Sequence, residues 1–124
     1  MKTVMVIDDD LATLELLGAV LSEAGYRPAL LPTSEGIPEK VGDSKPDLIL
    51  LDILIEPKHG MEVLESLSEM EGCPPVILMS AAVKGVRDMG QIAKGLGCYD
   101  FVEKPFDVDE FLKVVEGALQ VAGV

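Results

Sequence analysis

Three stretches of the chain are apolar without a break: Val4-Met5-Val6-Ile7, Leu48-Ile49-Leu50-Leu51 and Val76-Ile77-Leu78-Met79. A strand with one face in water alternates polar and apolar residues, so these runs predict strands covered on both faces. Arg27 to Leu31, closed by Pro32, and Tyr99 to Glu103 read as the second and fifth strands. Between the strands the spacing changes to that of a helix. Leu14, Leu17, Leu21 and Ala24 predict a first helix that stops at Gly25. Met61, Leu64 and Leu67 mark another from about Gly60 to Met70, after a loop from Ile53 to His59. Val86, Met89, Ala93 and Leu96 outline a marginal fourth helix with interior glycines at 90 and 95. Val108, Phe111, Leu112, Val115 and Leu119 make the best-defined stripe, with Asp107 as its cap. The weakest element is the second helix, Ser34 to Val41, which Gly36, Pro38 and Gly42 interrupt and which Thr33 or Ser34 is expected to cap.

Strand and helix thus alternate five times with no internal repeat and no linker. Parallel neighbours need crossover connections, and the crossovers are right-handed, so the expected fold is α/β: a single doubly wound five-stranded parallel sheet, (βα)5. A length of 124 residues suits one domain spanning 1–124. The net charge of −12, from 10 Lys plus Arg against 22 Asp plus Glu, would repel a phosphate backbone, so direct nucleic-acid binding is not expected. No apolar run approaches the ~20 residues of a membrane span, and no membrane partner is expected. Met1-Lys2-Thr3 leads straight into a strand rather than a signal peptide, which makes the cytoplasm the default location. Cys73 and Cys98 have no metal-ligand spacing and read as small apolar side chains in a reducing compartment.

In open parallel sheets the ligand crevice lies outside the carboxyl edges of the strands. Strand one ends in Asp8-Asp9-Asp10, strand three in Asp52 and strand four in Ser80, and strand five leads into Lys104. Three carboxylates brought together repel one another unless a cation sits between them, and an all-oxygen cluster suits Mg²⁺ better than zinc. A divalent ion beside a carboxylate, with a lysine on the other flank, is the arrangement that phosphoryl transfer to that carboxylate requires. Asp52 is the candidate nucleophile, Ser80 a hydrogen-bond donor to the phosphoryl group, and Asp10 a helix cap rather than a ligand. His59 is expected to be a solvated loop histidine.

In these residues the sequence resembles the receiver domain of two-component response regulators along its whole length. Val6-Ile7-Asp8-Asp9-Asp10 is similar to the family's acidic pair, Asp47 to Asp52 to its phosphoacceptor strand, Leu78-Met79-Ser80-Ala81 to its switch hydroxyl, and Phe101-Val102-Glu103-Lys104-Pro105-Phe106 to its lysine motif. The resemblance implies a flavodoxin-like sheet of strand order 2-1-3-4-5. It also implies Mg²⁺ held by Asp8, Asp9, Asp52 and the backbone carbonyl of Leu54, with Asp52 as phosphoacceptor and Lys104 on the phosphate. Ser80 and Phe101 would be the switch residues, although core packing accounts for Phe101 equally well. The Lys104-Pro105 bond resembles one usually cis in the family. Leu54 and Ala82 stand at positions that affect dephosphorylation there. The family loop commonly has Met-Pro three and four residues after the acceptor; here those places are Ile55 and Glu56, and proline follows at Pro57, while Gly60 keeps its usual distance.

The function implied is a signalling switch rather than an enzyme. Asp52 would take a phosphoryl group from a sensor histidine kinase or phosphotransfer protein and re-set a surface for an unknown output domain or partner protein, possible phosphorylation-dependent homodimerisation included. The chain stops at Val124, which fits either a stand-alone regulator or an excised receiver. Two other readings stay open at this level. One is a Mg²⁺-dependent phosphatase resembling the haloacid dehalogenase group, with Asp8 as nucleophile and Asp10 as acid/base. The other is an interaction module that works without phosphorylation.

Overall fold

The computed structural model describes residues 1–81, 94, 95 and 97–122 of the chain. Five strands, β1 (Thr3–Ile7), β2 (Arg27–Leu31), β3 (Leu48–Asp52), β4 (Val76–Ala81) and β5 (Asp100–Lys104), form one sheet in the order β2-β1-β3-β4-β5. Every neighbouring pair is parallel, so all five carboxyl ends lie along one edge. The helices are α1 (Leu11–Glu23), α2 (Ile37–Ser44), α3 (Gly60–Ser68) and a C-terminal helix (Val108–Ala122). The fold is the flavodoxin-like α/β arrangement.

Alternation along the strands divides the core in two. Met5, Ile7, Ile49, Leu51 and Leu78 face α2 and α3, where Ile37, Val41, Val63, Leu64 and Leu67 meet them. Val4, Val6, Leu48, Leu50, Ile77 and Met79 face α1 and the C-terminal helix, meeting Leu14, Leu17, Leu21, Phe111 and Val115. The apolar runs are unbroken because both sets are needed. Each residue of β3 is buried, and burying one Leu or Ile side chain contributes about 1.5–3 kcal/mol, which makes β3 the anchor of the sheet.

Several boundaries differ from expectation: β4 runs on to Ala81, β5 to Lys104 and α2 to Ser44, and α3 stops at Ser68 rather than Met70. Strand five starts at Asp100, not Tyr99, whose N–H donates to the Val76 carbonyl (2.8 Å) just before the β4–β5 ladder. Helix α2 begins at Ile37, three residues later than Ser34, because Gly36 adopts a left-handed conformation (φ 66°) and Pro38 fits the first helical turn. Neither Thr33 nor Ser34 caps it: the Thr33 hydroxyl accepts from Glu35 N–H (3.1 Å), and Ser34 is turned elsewhere. Asp10 caps α1 as expected, and Asp107 accepts from Glu110 N–H (3.1 Å) at the start of the C-terminal helix. The expected helix from Val86 to Leu96 falls outside the described residues except at Lys94 and Gly95, which are helical, and Ala82 also lies outside them. Cys73 and Cys98 are free thiols.

Candidate functional site

The carboxyl edge places the acidic residues by register. Ile7 pairs with Leu51, so the next residues, Asp8 and Asp52, end adjacent strands side by side. Asp8 is fully buried; its N–H donates to the Leu31 carbonyl (3.1 Å) at the end of β2, and its Oδ1 accepts from Asp10 N–H (2.9 Å). That second bond turns the chain so that Asp10 can cap α1 through Ala12 N–H (3.1 Å), while Asp9 points into solvent. Oxygen atoms of Asp8, Asp9 and Asp52 lie within 4.8 Å of one another. Lys104, the last residue of β5, brings its Nζ to 2.6 Å from Asp8 Oδ2 and 3.8 Å from Asp52 Oδ2.

Asp52 is only 6% exposed. Burial, followed by the adjacent Asp8 carboxylate, holds its carboxyl above the usual carboxylate range, and the Lys104 ammonium and the Leu54 N–H (3.3 Å to Oδ1) offset part of that. A buried carboxylate beside another, with one ammonium between them, is short of positive charge. The donors available are all hard oxygens and Asp9 leaves the cluster open to solvent, so the residues fit a small divalent cation that keeps some of its water. Asp10 differs. It is exposed, and the Thr13 hydroxyl (3.0 Å), followed by the Ala12 N–H, holds its carboxyl below the usual range.

Gly60 backs this cluster. A Cβ there would lie 2.5 Å from the carbonyl oxygen of Asp52 and 2.6 Å from Ile53 Cα, so only glycine lets α3 start directly behind the site. Gly60 N–H donates to the Ile53 carbonyl (2.7 Å), closing the loop. His59 departs from the solvated loop residue expected. It is half-buried and caps α3, its Nδ1 accepting from Met61 N–H (3.2 Å). The loop before it is pinned by a residue that the sequence marked only as a possible helix cap: buried Ser34 accepts from Lys58 N–H (2.7 Å) through Oγ and donates its own N–H to the Glu56 carbonyl (3.1 Å). Both partners are backbone groups 22 and 24 positions away, which residue types cannot signal.

Ser80 lies within β4, one residue past Met79, the register partner of Asp52; it is fully buried, but its hydroxyl donates to the carbonyl of its neighbour Ala81 (3.0 Å). Phe101 is half-buried and packs on the α2/α3 side of the core. Leu54 is about half exposed. Both the Lys104-Pro105 and the Glu56-Pro57 bonds are cis.

The model of the response regulator receiver domain matches residues 4–116. The chain belongs to this family. Sporulation initiation phosphotransferase F of Bacillus subtilis is 32% identical over 115 residues, covering 93% of this chain and 91% of its own. Nitrogen assimilation regulatory protein NtrX of Azorhizobium caulinodans is 28% identical over 94% of this chain, which spans 26% of that protein. The receiver domain of NtrX from Brucella abortus superposes with a TM-score of 0.85 at 28% identity, covering 94% of this chain and 98% of that one. The receiver domain described here therefore corresponds to about a quarter of the length of the NtrX-type relatives it matches and to nearly the whole of the sporulation protein. Among the described residues, no helix is long and apolar enough to cross a membrane.

Proposed function

We propose that this receiver domain accepts a phosphoryl group on Asp52 from the phosphohistidine of a partner kinase or phosphotransfer protein, with Mg²⁺ held by Asp8, Asp9, Asp52 and the Leu54 carbonyl. The observation that carries this reading is Lys104 Nζ lying between the carboxylates of Asp8 and Asp52. A carboxylate oxygen of Asp52 attacks phosphorus, the P–N bond of the donor breaks, and its electron pair stays on the imidazole nitrogen. Burial keeps bulk water from the nucleophile, and the Leu54 N–H orients its other oxygen. Lys104 then contacts a phosphoryl oxygen; Mg²⁺, when bound, offsets the charge on the others. The donor approaches from the side where Asp9 is exposed, next to a depression of about 390 Å³ lined by Leu16, Lys104, Pro105 and Phe106.

The signal leaves on the other flank. The Ser80 hydroxyl turns from the Ala81 carbonyl to a phosphoryl oxygen, and Phe101 follows into the space vacated, changing the surface around β5. That surface meets the output domain or partner. The phosphatase reading is not favoured, since it asks Asp10 to hold and release a proton while Asp10 is committed as an α1 cap with a lowered pKa.

Incubation with Mg²⁺ and acetyl phosphate, followed by intact-mass measurement, tests the proposal. One phosphoryl adduct is expected on the native protein, none without Mg²⁺ and none on Asp52→Ala. An unmodified native protein, or an equal adduct on Asp52→Ala, rejects it.

A further inference from the structure

The segment from Leu54 to Lys58 departs from the family's loop, with proline one position later, and its path has to be fixed by this chain's own contacts. Apolar packing fixes only its first half: Ile53 and Ile55 are buried on the α2/α3 side, and Leu54 between them turns outward. Glu56, Pro57 and Lys58 are all exposed. Among the described residues, the hydrogen bonds that tie this second half to the rest of the chain both end on Ser34, one on its N–H and one on its Oγ. Ser34 is 1% exposed and is joined through Pro32 and Thr33 to β2, whose last carbonyl, on Leu31, accepts from Asp8 N–H. One short stretch therefore holds the backbone of a carboxylate ligand at one end and the 54–58 segment at the other.

We propose that Ser34 is a positioning residue of the metal site, holding the 54–58 segment on the path that offers the Leu54 carbonyl to the cation. This rests on the reading of Asp8, Asp9, Asp52 and Leu54 as the ligand set. Without the Oγ acceptor, Lys58 N–H turns to water and the chain beyond Ile55 is free to swing; Ile53 and Ile55 stay buried, but the Leu54–Ile55 peptide between them can tilt, and its carbonyl with it. Groups that orient metal ligands from outside typically change affinity by 10–100-fold, and Ser34 acts through one loop, so the lower end applies.

The test compares native protein with Ser34→Ala and with Ser34→Cys, which keeps the volume and replaces the hydroxyl with a poor acceptor. Titration with MgCl₂ by calorimetry, at a temperature where all three are folded, is expected to show Kd raised about tenfold in both variants. Amide exchange in metal-free protein is expected to quicken at Ile55, whose N–H shares a peptide plane with the Leu54 carbonyl, as well as at Lys58. A merely structural serine would lower the unfolding midpoint and leave Mg²⁺ affinity and exchange at Ile55 unchanged. Native-like Mg²⁺ affinity in both variants overturns the proposal, as does unchanged exchange at Ile55. Failure of the native protein to bind Mg²⁺ would instead reject the ligand set, and the exchange data would still decide whether Ser34 holds the segment.

Discussion

On the β1 side of Asp52 the carboxylate of Asp8 is already engaged, Lys104 reaching across from β5 to lie 2.6 Å from Asp8 and 3.8 Å from Asp52. On the β4 side Ser80 is turned away, its hydroxyl bonded to the carbonyl of Ala81. The contrast follows from charge. Two buried carboxylates cannot wait for a cation, because an uncompensated buried charge costs several kcal/mol, so that flank is assembled before any ligand arrives. A hydroxyl exchanges one neutral acceptor for another at little cost, and a new phosphoryl oxygen is enough to bias it. Under the proposed phosphoryl transfer, chemistry would thus be preorganised on one flank and the switch left bistable on the other.

Lys104→Met is the most direct way to break the assembled flank. The ammonium is mostly buried, and removing one partner from a buried ion pair typically costs 3–5 kcal/mol. A loss of about 3 kcal/mol in urea unfolding without Mg²⁺ is expected, with Mg²⁺ stabilising the variant more than the native protein. A loss below about 1 kcal/mol, the range of an exposed pair, would mean that the flank is not held by charge.

Two glycines sharpen the same point sterically. Gly60→Ala drives a Cβ into the backbone of Asp52 and Ile53, and overpacking of that kind costs about 1–3 kcal/mol, here with weakened Mg²⁺ binding expected because one displaced atom belongs to Asp52. Gly42→Ala, on α2, meets nothing within 4 Å and is expected to stabilise by about 0.5–1 kcal/mol. Equal effects of the two substitutions on unfolding midpoint would remove the claim that α3 is pressed against the site.

The assembled flank was also the legible one. Unbroken apolar runs located β1, β3 and β4, and the residues that end them are the ones the register brings together: Asp8, Asp9, Asp52 and, from β5, Lys104. Strand direction and burial on both faces are written in residue type, so this part followed from pattern. The start of α2 did not, since it depends on the left-handed turn at Gly36 rather than on a side-chain cap. Ser34 and His59 escaped for separate reasons. Ser34 acts on a backbone N–H 24 positions away, which residue types cannot signal, and histidine is not among the side chains that mark a helix cap.

Acid titration separates the flanks more gently. Asp52's carboxyl is raised, chiefly by burial and then by Asp8, so between 3.8 and the raised value the folded chain binds more protons than the unfolded one. Stability without metal is therefore expected to fall as pH rises through that window, opposite to the usual carboxylate, and Asp52→Asn should flatten this contribution. Saturating Mg²⁺, which favours the ionised form, should reverse the slope. A metal-free difference between native protein and Asp52→Asn that rises with pH would show Lys104 outweighing burial.

Ser80→Ala probes the unassembled flank, and there the expected effect on stability is smallest. The hydroxyl makes one bond to a neighbouring carbonyl, so its loss should cost no more than about 1 kcal/mol. Mg²⁺ affinity and the yield of phosphoryl adduct should stay near native, because nothing on the β1 side depends on Ser80. What should disappear is the response: amide chemical shifts around Phe101 and along β5 move on phosphorylation of the native protein and stay put in the variant. Aromatic and backbone shifts that move equally in both would place the switch elsewhere, whereas a large drop in Mg²⁺ affinity would show that the two flanks were never separate. Only if chemistry survives and the response is lost does the division between a rigid charged flank and a loose neutral one hold, since a hydroxyl that merely filled space would alter neither.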